Sequence, residues 1–280
     1  MFKLFKKKKR YQDDEIAELL QGYELPSFPT AVMNVLSLLR DPDVDMDDVA
    51  ELIKVDPGMN VRVLRLVNSA AFGLSSKVSN ILHAVTLLGK ARLEPIVLSL
   101  AVKDSIPKPE VNCFDSSEFW RISARRASLA RILAHELHPL TETEAFTAGL
   151  LQDMAIPMLV EIKKQEYCKV LEQYYESRTA TLDELERAAF GFDHQIVGAM
   201  VAQKWELPDN LIKSISGHHS GDEVDAAVYI VSFLREYDEV DDNEQLFRVA
   251  ENEFGIGRDE MKGYIERAFR DAEELIAVLV

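Results

Sequence analysis

From Leu25 onward apolar side chains recur at intervals of three and four, and no stretch alternates convincingly residue by residue as a half-buried strand does. Val32, Val35, Leu36 and Leu39 mark one helical face, which Asp41-Pro42 stops. Asp45 is placed to cap the next helix, with Met46, Val49 and Ile53 facing inward. Asp56-Pro57 both ends that helix and starts another, because a proline at the first helical position loses no hydrogen bond. The following MNVRVLRLVNSAAFG is apolar on more than one face and predicts a central helix, ended by Asn68 and Ser69 with a sharp exit at Gly73. Ser79 is expected to open a helix closing at Gly89, and Pro95 lies early in one that runs to about Val102.

Ile106 to Pro109 reads as a connector. Asp115 with Glu118, Thr141 with Glu144, and Thr181 with Glu184 have the spacing of capping boxes. The first opens a long helix carrying Phe119, Trp120, Ile122, Leu129, Ile132 and Leu133. The second opens the apolar segment AGLLQDMAIPML, which Pro157 is expected to kink or end. The third leads to Asp193-His194 and the segment HQIVGAMVAQKWELP, then LIKSISGHHS. Residues 221 to 280 continue as helical pieces and carry 17 acidic and 6 basic side chains.

Composition narrows the class. The chain has 280 residues, 47% hydrophobic and 29% charged, and no apolar run reaches the roughly 18 to 20 residues of a spanning helix. Residues 1 to 10 hold six of the 32 basic side chains and no acid, so residues 11 to 280 hold 26 against 48 acidic ones. Such an acidic body repels a nucleic-acid backbone, and no nucleic-acid partner is expected. The tail, with Phe2, Leu4 and Phe5 beside its lysines, reads as a solvated terminus or as a weak peripheral contact with anionic lipid. Cys113 and Cys168 are isolated and form no metal or redox spacing, so a reducing cytoplasm is the simplest compartment.

The combination Leu25-Pro26, Pro29, Asp56-Pro57, Leu64, Asn68-Ser69, Gly73 and Leu88-Gly89, at these separations, resembles the N-terminal half of an HDOD domain, the HD-related output module of bacterial signalling proteins. The resemblance continues through the Gly191 to His194 turn, the helix ending near Trp205 and Leu207-Pro208, and the His218-His219 pair, covering roughly residues 23 to 220. It implies an all-α protein: a basic tail and lead-in over 1–22, an HDOD domain over 23–220, and an acidic helical extension over 221–280. The domain divides into an N-terminal helical lobe (23–110) and an HD-like helical bundle (111–220). Asp56, Pro57, Asn68, Ser69, Gly73 and Gly89 are the family-motif structural positions.

Catalytic HD proteins bind metal through a histidine on one helix, an adjacent His-Asp pair on the next, and a distal aspartate. Aligned by motif, the first histidine position falls on Ile122, the pair becomes Gln152-Asp153, and the segment AAVYIVSFLREY contains no aspartate. An isoleucine has no lone pair to donate. No metal or other cofactor is therefore expected, and Ile122, Gln152, Asp153, His194, His218 and His219 are read as the remnant of an ancestral site. Within it Asp153 is expected to form a buried hydrogen bond or charge pair with a histidine. If the chain does hold a metal, Asp153, His194, His218 and His219 are the ligands to expect. His83 is read as a core or rim histidine, His135 and His138 as helix-terminal residues, and Ser69 and Ser123 as caps or core hydroxyls. The expected function is non-catalytic signal transduction through contacts with signalling proteins of unknown identity. The chain shows no receiver, kinase or GGDEF segment, so signals are expected to reach it by association. The alternative is a metal-dependent phosphohydrolase or cyclic-dinucleotide phosphodiesterase.

Overall fold

Four helices form the N-terminal lobe in a computed structural model that describes residues 23–24, 27–69, 76–177, 179–221, 224–235 and 240–280. They are α1 (Thr30–Arg40), α2 (Met46–Val55), α3 (Pro57–Val67) and α4 (Ile81–Ser105). Asp45 and Asp56 cap α2 and α3, accepting from the main-chain N–H groups of Asp47 and Met59. The predicted face of α1 is buried, and each such Val or Leu contributes about 1.5 to 3 kcal/mol. The tail, Leu25-Pro26 and Gly73 lie outside the described residues.

Two expectations for this lobe need correction. Helix α3 buries a single stripe, Met59, Val63, Leu66 and Val67, while Val61 is 49% exposed, so it is not the central helix. Asn80 rather than Ser79 caps α4, which runs on to Ser105. At Gly89 the backbone turns to φ +63°, where a side chain is strained, and α4 kinks there. Asn68 acts beyond its own helix: its amide donates to Leu64 O and Val78 O, both at 2.8 Å, and its carbonyl accepts from Val78 N–H at 2.7 Å. It thereby holds the lead-in to α4 against the end of α3.

The second lobe contains α5 (Ser116–Leu137), α6 (Glu142–Leu151), α7 (Ile156–Lys163), α8 (Gln165–Glu176), α9 (Leu182–Phe190), α10 (His194–Lys204) and α11 (Asp209–Gly217). After these come α12 (Ala226–Ser232), α13 (Glu244–Phe254) and α14 (Arg258–Leu279). No strand occurs among the described residues, and the all-α expectation holds. The helix surrounded on most sides is α5, which packs against α6, α12 and α14. Gly149 permits the α5–α6 approach: a Cβ there would lie 3.0 Å from Ala130 Cβ and 3.1 Å from the Arg126 carbonyl oxygen. The residues beyond 221 are part of this packing, since α14 also touches α3, and Arg125 stacks over Phe269 at 4.2 Å.

Around the AGLLQDMAIPML segment the chain departs from the predicted single helix. Thr141 makes no cap; a 3-10 turn (Pro139–Thr141) precedes α6, and the Thr141 hydroxyl donates to Asp225 Oδ2 at 2.6 Å. The helix ends at Leu151, well before Pro157, which lies in the first turn of α7 where a proline is tolerated. By composition, Pro139–Lys163 does pass the length and hydropathy test for a membrane span, contrary to the reading of apolar runs, but 89% of its most apolar window is buried inside the protein. It is a core segment broken by turns at 152–155.

The two cysteines are not isolated. Cys113 and Cys168, 55 residues apart, form a disulfide with Cα atoms 5.4 Å apart, joining the connector before α5 to α8. Nothing in their sequence spacing announces it, and the pairing removes the cysteine argument for a reducing compartment.

Candidate functional site

Where α6 ends, the turn at Gln152 and Asp153 carries a carboxylate into the centre of the second lobe. Asp153 Oδ1 lies 3.3 Å from His194 Nε2 and 3.2 Å from His218 Nε2. His194 Nε2 is 3.1 Å from His218 Nε2 and 3.2 Å from His219 Nε2. The expected charge pair between Asp153 and a histidine is present, and one ligand atom from each of the four residues lies within 4.8 Å of the others.

Local structure explains this convergence. His194 follows the cap Asp193, whose side chain accepts from Ile196 N–H, so the imidazole starts a helix at a fixed angle. His218 and His219 follow the end of α11, which lies so close to α10 that a Cβ on Gly198 would meet Ile215 Cγ2 at 2.7 Å. The ring nitrogens remote from Asp153 are also committed. Glu186 Oε2 accepts from His194 Nδ1 at 2.6 Å and from its main-chain N–H at 2.8 Å. His218 Nδ1 lies 2.8 Å from the carbonyl oxygen of Ile215, which only accepts, so Nδ1 carries the proton. Both Nε2 atoms therefore face Asp153.

Three residues central to the site were missed in the sequence. Arg126, one helical turn beyond Ile122, donates through Nη1 to Asp153 Oδ2 and through Nε and Nη2 to the carbonyl of Leu234 at 3.1 and 2.8 Å. Glu186 is fully buried and accepts from the Tyr167 hydroxyl on its other oxygen. The spacing of Ile122 to Arg126 was the available signal for the first, since an i, i+4 pair shares a helix face. Glu186 and Tyr167 come from other helices and gave none.

Electrostatics follow from burial and partners. Burial alone raises the Asp153 carboxyl, but the Arg126 guanidinium and the His194 and His218 hydrogen bonds outweigh it and hold it well below the ordinary range. Burial lowers His194, yet Glu186 and Asp153 together push it well above 6.5. At His219 the pull of Asp153 is outweighed: burial, then His218 and His194, hold it well below 6.5. Tyr167 is raised well above 10 by burial and by Glu186.

The remaining expected residues divide. Ile122 lies on the wall of a cavity of about 780 Å³ that reaches Arg126, Asp153, His194 and His219. Gln152 is buried, but its amide nitrogen and oxygen have no hydrogen-bond partner among the described residues, the cluster included. The segment read for a distal aspartate contributes Ser232, Phe233 and Arg235 to the cavity instead. His83 is exposed, and His135 pairs with Glu142 at 2.6 Å. Ser69, just past the end of α3, donates to Leu66 O, and Ser123 donates to Phe119 O within α5.

Several observations bear on whether these residues fit a metal. Around a cation with M–N bonds of about 2.1 Å, tetrahedral ligands sit about 3.4 Å apart and cis-octahedral ones about 3.0 Å, which brackets the observed contacts. Imidazoles that donate Nδ1–H to a carboxylate or carbonyl have the orientation of metal ligands. Against this, Arg126 already neutralises Asp153, and Ile122 supplies no donor. The donor set fits one cation and not two.

An HDOD domain model matches residues 25–221. An uncharacterised protein of Treponema pallidum is 24% identical over 198 residues, covering 70% of this chain and 38% of that protein. A Vibrio cholerae protein named as the cyclic di-GMP phosphodiesterase CdgJ is 29% identical over 148 residues, covering 50% of this chain and 33% of that one. The chain thus spans little more than a third of the length of these relatives. An HDOD domain protein of unknown function from Geobacter sulfurreducens has the same fold, with a TM-score of 0.69 and 23% identity over 95% of this chain and 97% of that one. With a matched region of this extent, framed by the Asp56-Pro57, Asn68 and Gly89 devices, the chain belongs to the HDOD domain family.

Proposed function

We propose that this chain is a non-catalytic regulatory module that works by holding signalling proteins on its helical surfaces. The observation that carries this reading is the Arg126 guanidinium seated on Asp153. It supplies positive charge beside the carboxylate that a second catalytic cation would need, and its other donors are spent on Leu234 O. Asp153, Arg126, His194 and Glu186 then form a buried set in which each charge has an opposite partner, as a structural network requires. Assay of the purified protein on cyclic dinucleotides and phosphomonoesters, with manganese or iron added, is expected to give no turnover. Turnover that disappears in Asp153→Ala and His218→Ala variants would overturn the proposal. Affinity capture from native lysate then identifies the partner.

A second reading has its own support. His194 Nε2 lies 3.1 to 3.3 Å from His218 Nε2, His219 Nε2 and Asp153 Oδ1, and His218 Nε2 lies 3.2 Å from Asp153 Oδ1. Asp153, His194, His218 and His219 would hold a single divalent transition metal, which would replace the proton now shared between His194 and Asp153. Such an ion supplies Lewis acidity when bound. Titration with cobalt(II) while recording the visible spectrum tests this directly: a saturating band lost in His218→Ala supports it, and a featureless spectrum sinks it.

A further inference from the structure

The disulfide lies in the wall of the cavity that leads to the buried cluster. Cys113 belongs to the connector between α4 and α5, whose residues Val111 to Ser116 line that cavity. Cys168 belongs to α8, which contributes Leu171, Tyr174 and Tyr175 to the same cavity. The bond therefore ties together two of the elements that wall the cavity. The connector has no helix of its own, and within it Phe114 N–H donates to Val111 O at 3.4 Å, a long bond. Phe114 rests on Phe119 with ring centres 5.7 Å apart. Ile106 anchors one end of the connector in the core, while Val111 and Phe114 pack only partly buried against it. A segment held by such part-buried contacts and a long backbone bond opens at lower cost than the helices it joins when a tether is removed.

The two sulfurs differ in access. Cys168 is buried at 6% exposure, whereas Cys113 is half-buried and lines the cavity. A dithiol entering from solvent meets Cys113 first.

We propose that Cys113 and Cys168 are a redox modification site, a thiol–disulfide clasp that sets access to the Asp153, His194 and His219 end of the cavity. In the oxidised form the connector is held to α8. A dithiol reductant opens it: one of its thiolates attacks Cys113 Sγ, forming a mixed disulfide and releasing the Cys168 thiolate, which takes up a proton. The second thiol of the reductant then displaces Cys113 as a thiol, leaving the reductant as a cyclic disulfide and transferring two electrons to the protein. The inference concerns access to the cavity and holds whether the cluster is purely structural or binds a cation.

The test uses the full chain with diethyl pyrocarbonate as the access probe. His219 Nδ1 is buried with no hydrogen-bond partner among the described residues, so its carbethoxylation, mapped by mass spectrometry, reports entry to the cavity. The more exposed His135 serves as the internal reference. Protein handled without reductant is expected to resist iodoacetamide at both cysteines and to react slowly at His219. Dithiothreitol should free two thiols and raise the His219 rate severalfold relative to His135. A Cys113→Ser, Cys168→Ser double variant, checked for a cooperative melt, should react at the fast rate with or without reductant. Hydrogen exchange over residues 107–115 should rise in parallel, giving a readout that does not depend on histidine chemistry. Free thiols in air-oxidised protein, or equal His219 rates and equal exchange in all three forms, would overturn the proposal.

Discussion

Glu186 accepts two hydrogen bonds from His194, one from its main-chain N–H at 2.8 Å and one from Nδ1 at 2.6 Å, and so fixes which ring nitrogen faces Asp153. The carboxylate is fully buried and lies eight residues upstream, in the middle of α9 and across the turn from the start of α10. Through it the turn geometry becomes the orientation of an imidazole. Glu186→Ala should strip His194 of the acceptor at Nδ1 and of the nearer of its two carboxylates, leaving Asp153 alone to hold the ring, at a cost of about 3 to 5 kcal/mol. Urea unfolding measures the loss, and a change below 1 kcal/mol, on the order of an exposed pair, would show that Glu186 does not hold the ring.

Arg126 and Asp153 should be coupled. Arg126→Met leaves a buried carboxylate without its cation and is expected to cost about 3 to 5 kcal/mol. Adding Asp153→Asn should recover part of that cost, because the unpaired charge is gone. A double-mutant cycle by urea unfolding reads the coupling; strict additivity would show that the pair is not formed.

Stability should peak near pH 6.5, the ordinary histidine value, because two histidines are shifted in opposite directions. The folded-state pKa of His194 is raised, so its contribution is complete below 6.5 and fades as pH rises toward the folded value. That of His219 is lowered, so its contribution is complete above 6.5 and fades as pH falls toward the folded value. Each limb has a slope of up to about 1.4 kcal/mol per pH unit. Unfolding free energies between pH 5 and 8 should lose the acid limb in His219→Gln and the alkaline limb in His194→Gln, and unchanged profiles would count against both assignments.

Opening the disulfide should also be visible as global stability. It closes a loop across 55 residues, for which the chain-entropy model gives about 4 kcal/mol. Equilibrium unfolding with and without dithiothreitol, compared with the double serine variant, checks the figure. Identical midpoints would mean the bond does not constrain the unfolded chain.

Gly149→Ala sets two effects against each other. Alanine gains about 1 kcal/mol in helix propensity. The new methyl group meets Ala130 Cβ at 3.0 Å and the Arg126 carbonyl at 3.1 Å, and relieving such contacts costs about 1 to 3 kcal/mol. A lower melting temperature is expected, with the larger Gly149→Val drop confirming that α5 and α6 must touch here.

The legible part of this fold was local. Asp45, Asp56 and Thr181 cap the helices their spacing predicted, and Asp115 does so through its own side chain, because a cap and its N–H groups lie within three residues. Thr141 has the same spacing, but its hydroxyl is claimed by Asp225, 84 residues away, and no local pattern reveals that competitor. The breadth of α3's apolar surface misled for a related reason: which apolar residues are covered depends on which helices arrive.

The candidate site divides along the same line. Asp153 could be singled out because a carboxylate inside an apolar segment is costly and needs a partner, and His194, His218 and His219 because they stand at positions of the HDOD resemblance. Their meeting at about 3 Å, the Arg126 cation set on Asp153, the Glu186 support and the Cys113–Cys168 bond are contacts across 8 to 108 residues of chain. Periodicity and turn chemistry act within one or two helical turns, so the chain's own order specifies the helices, their caps and the family. Close helix crossings at Gly149 and Gly198 bring distant side chains into one buried space, where an unpaired charge is too costly to persist, and only that packing decided which groups became partners.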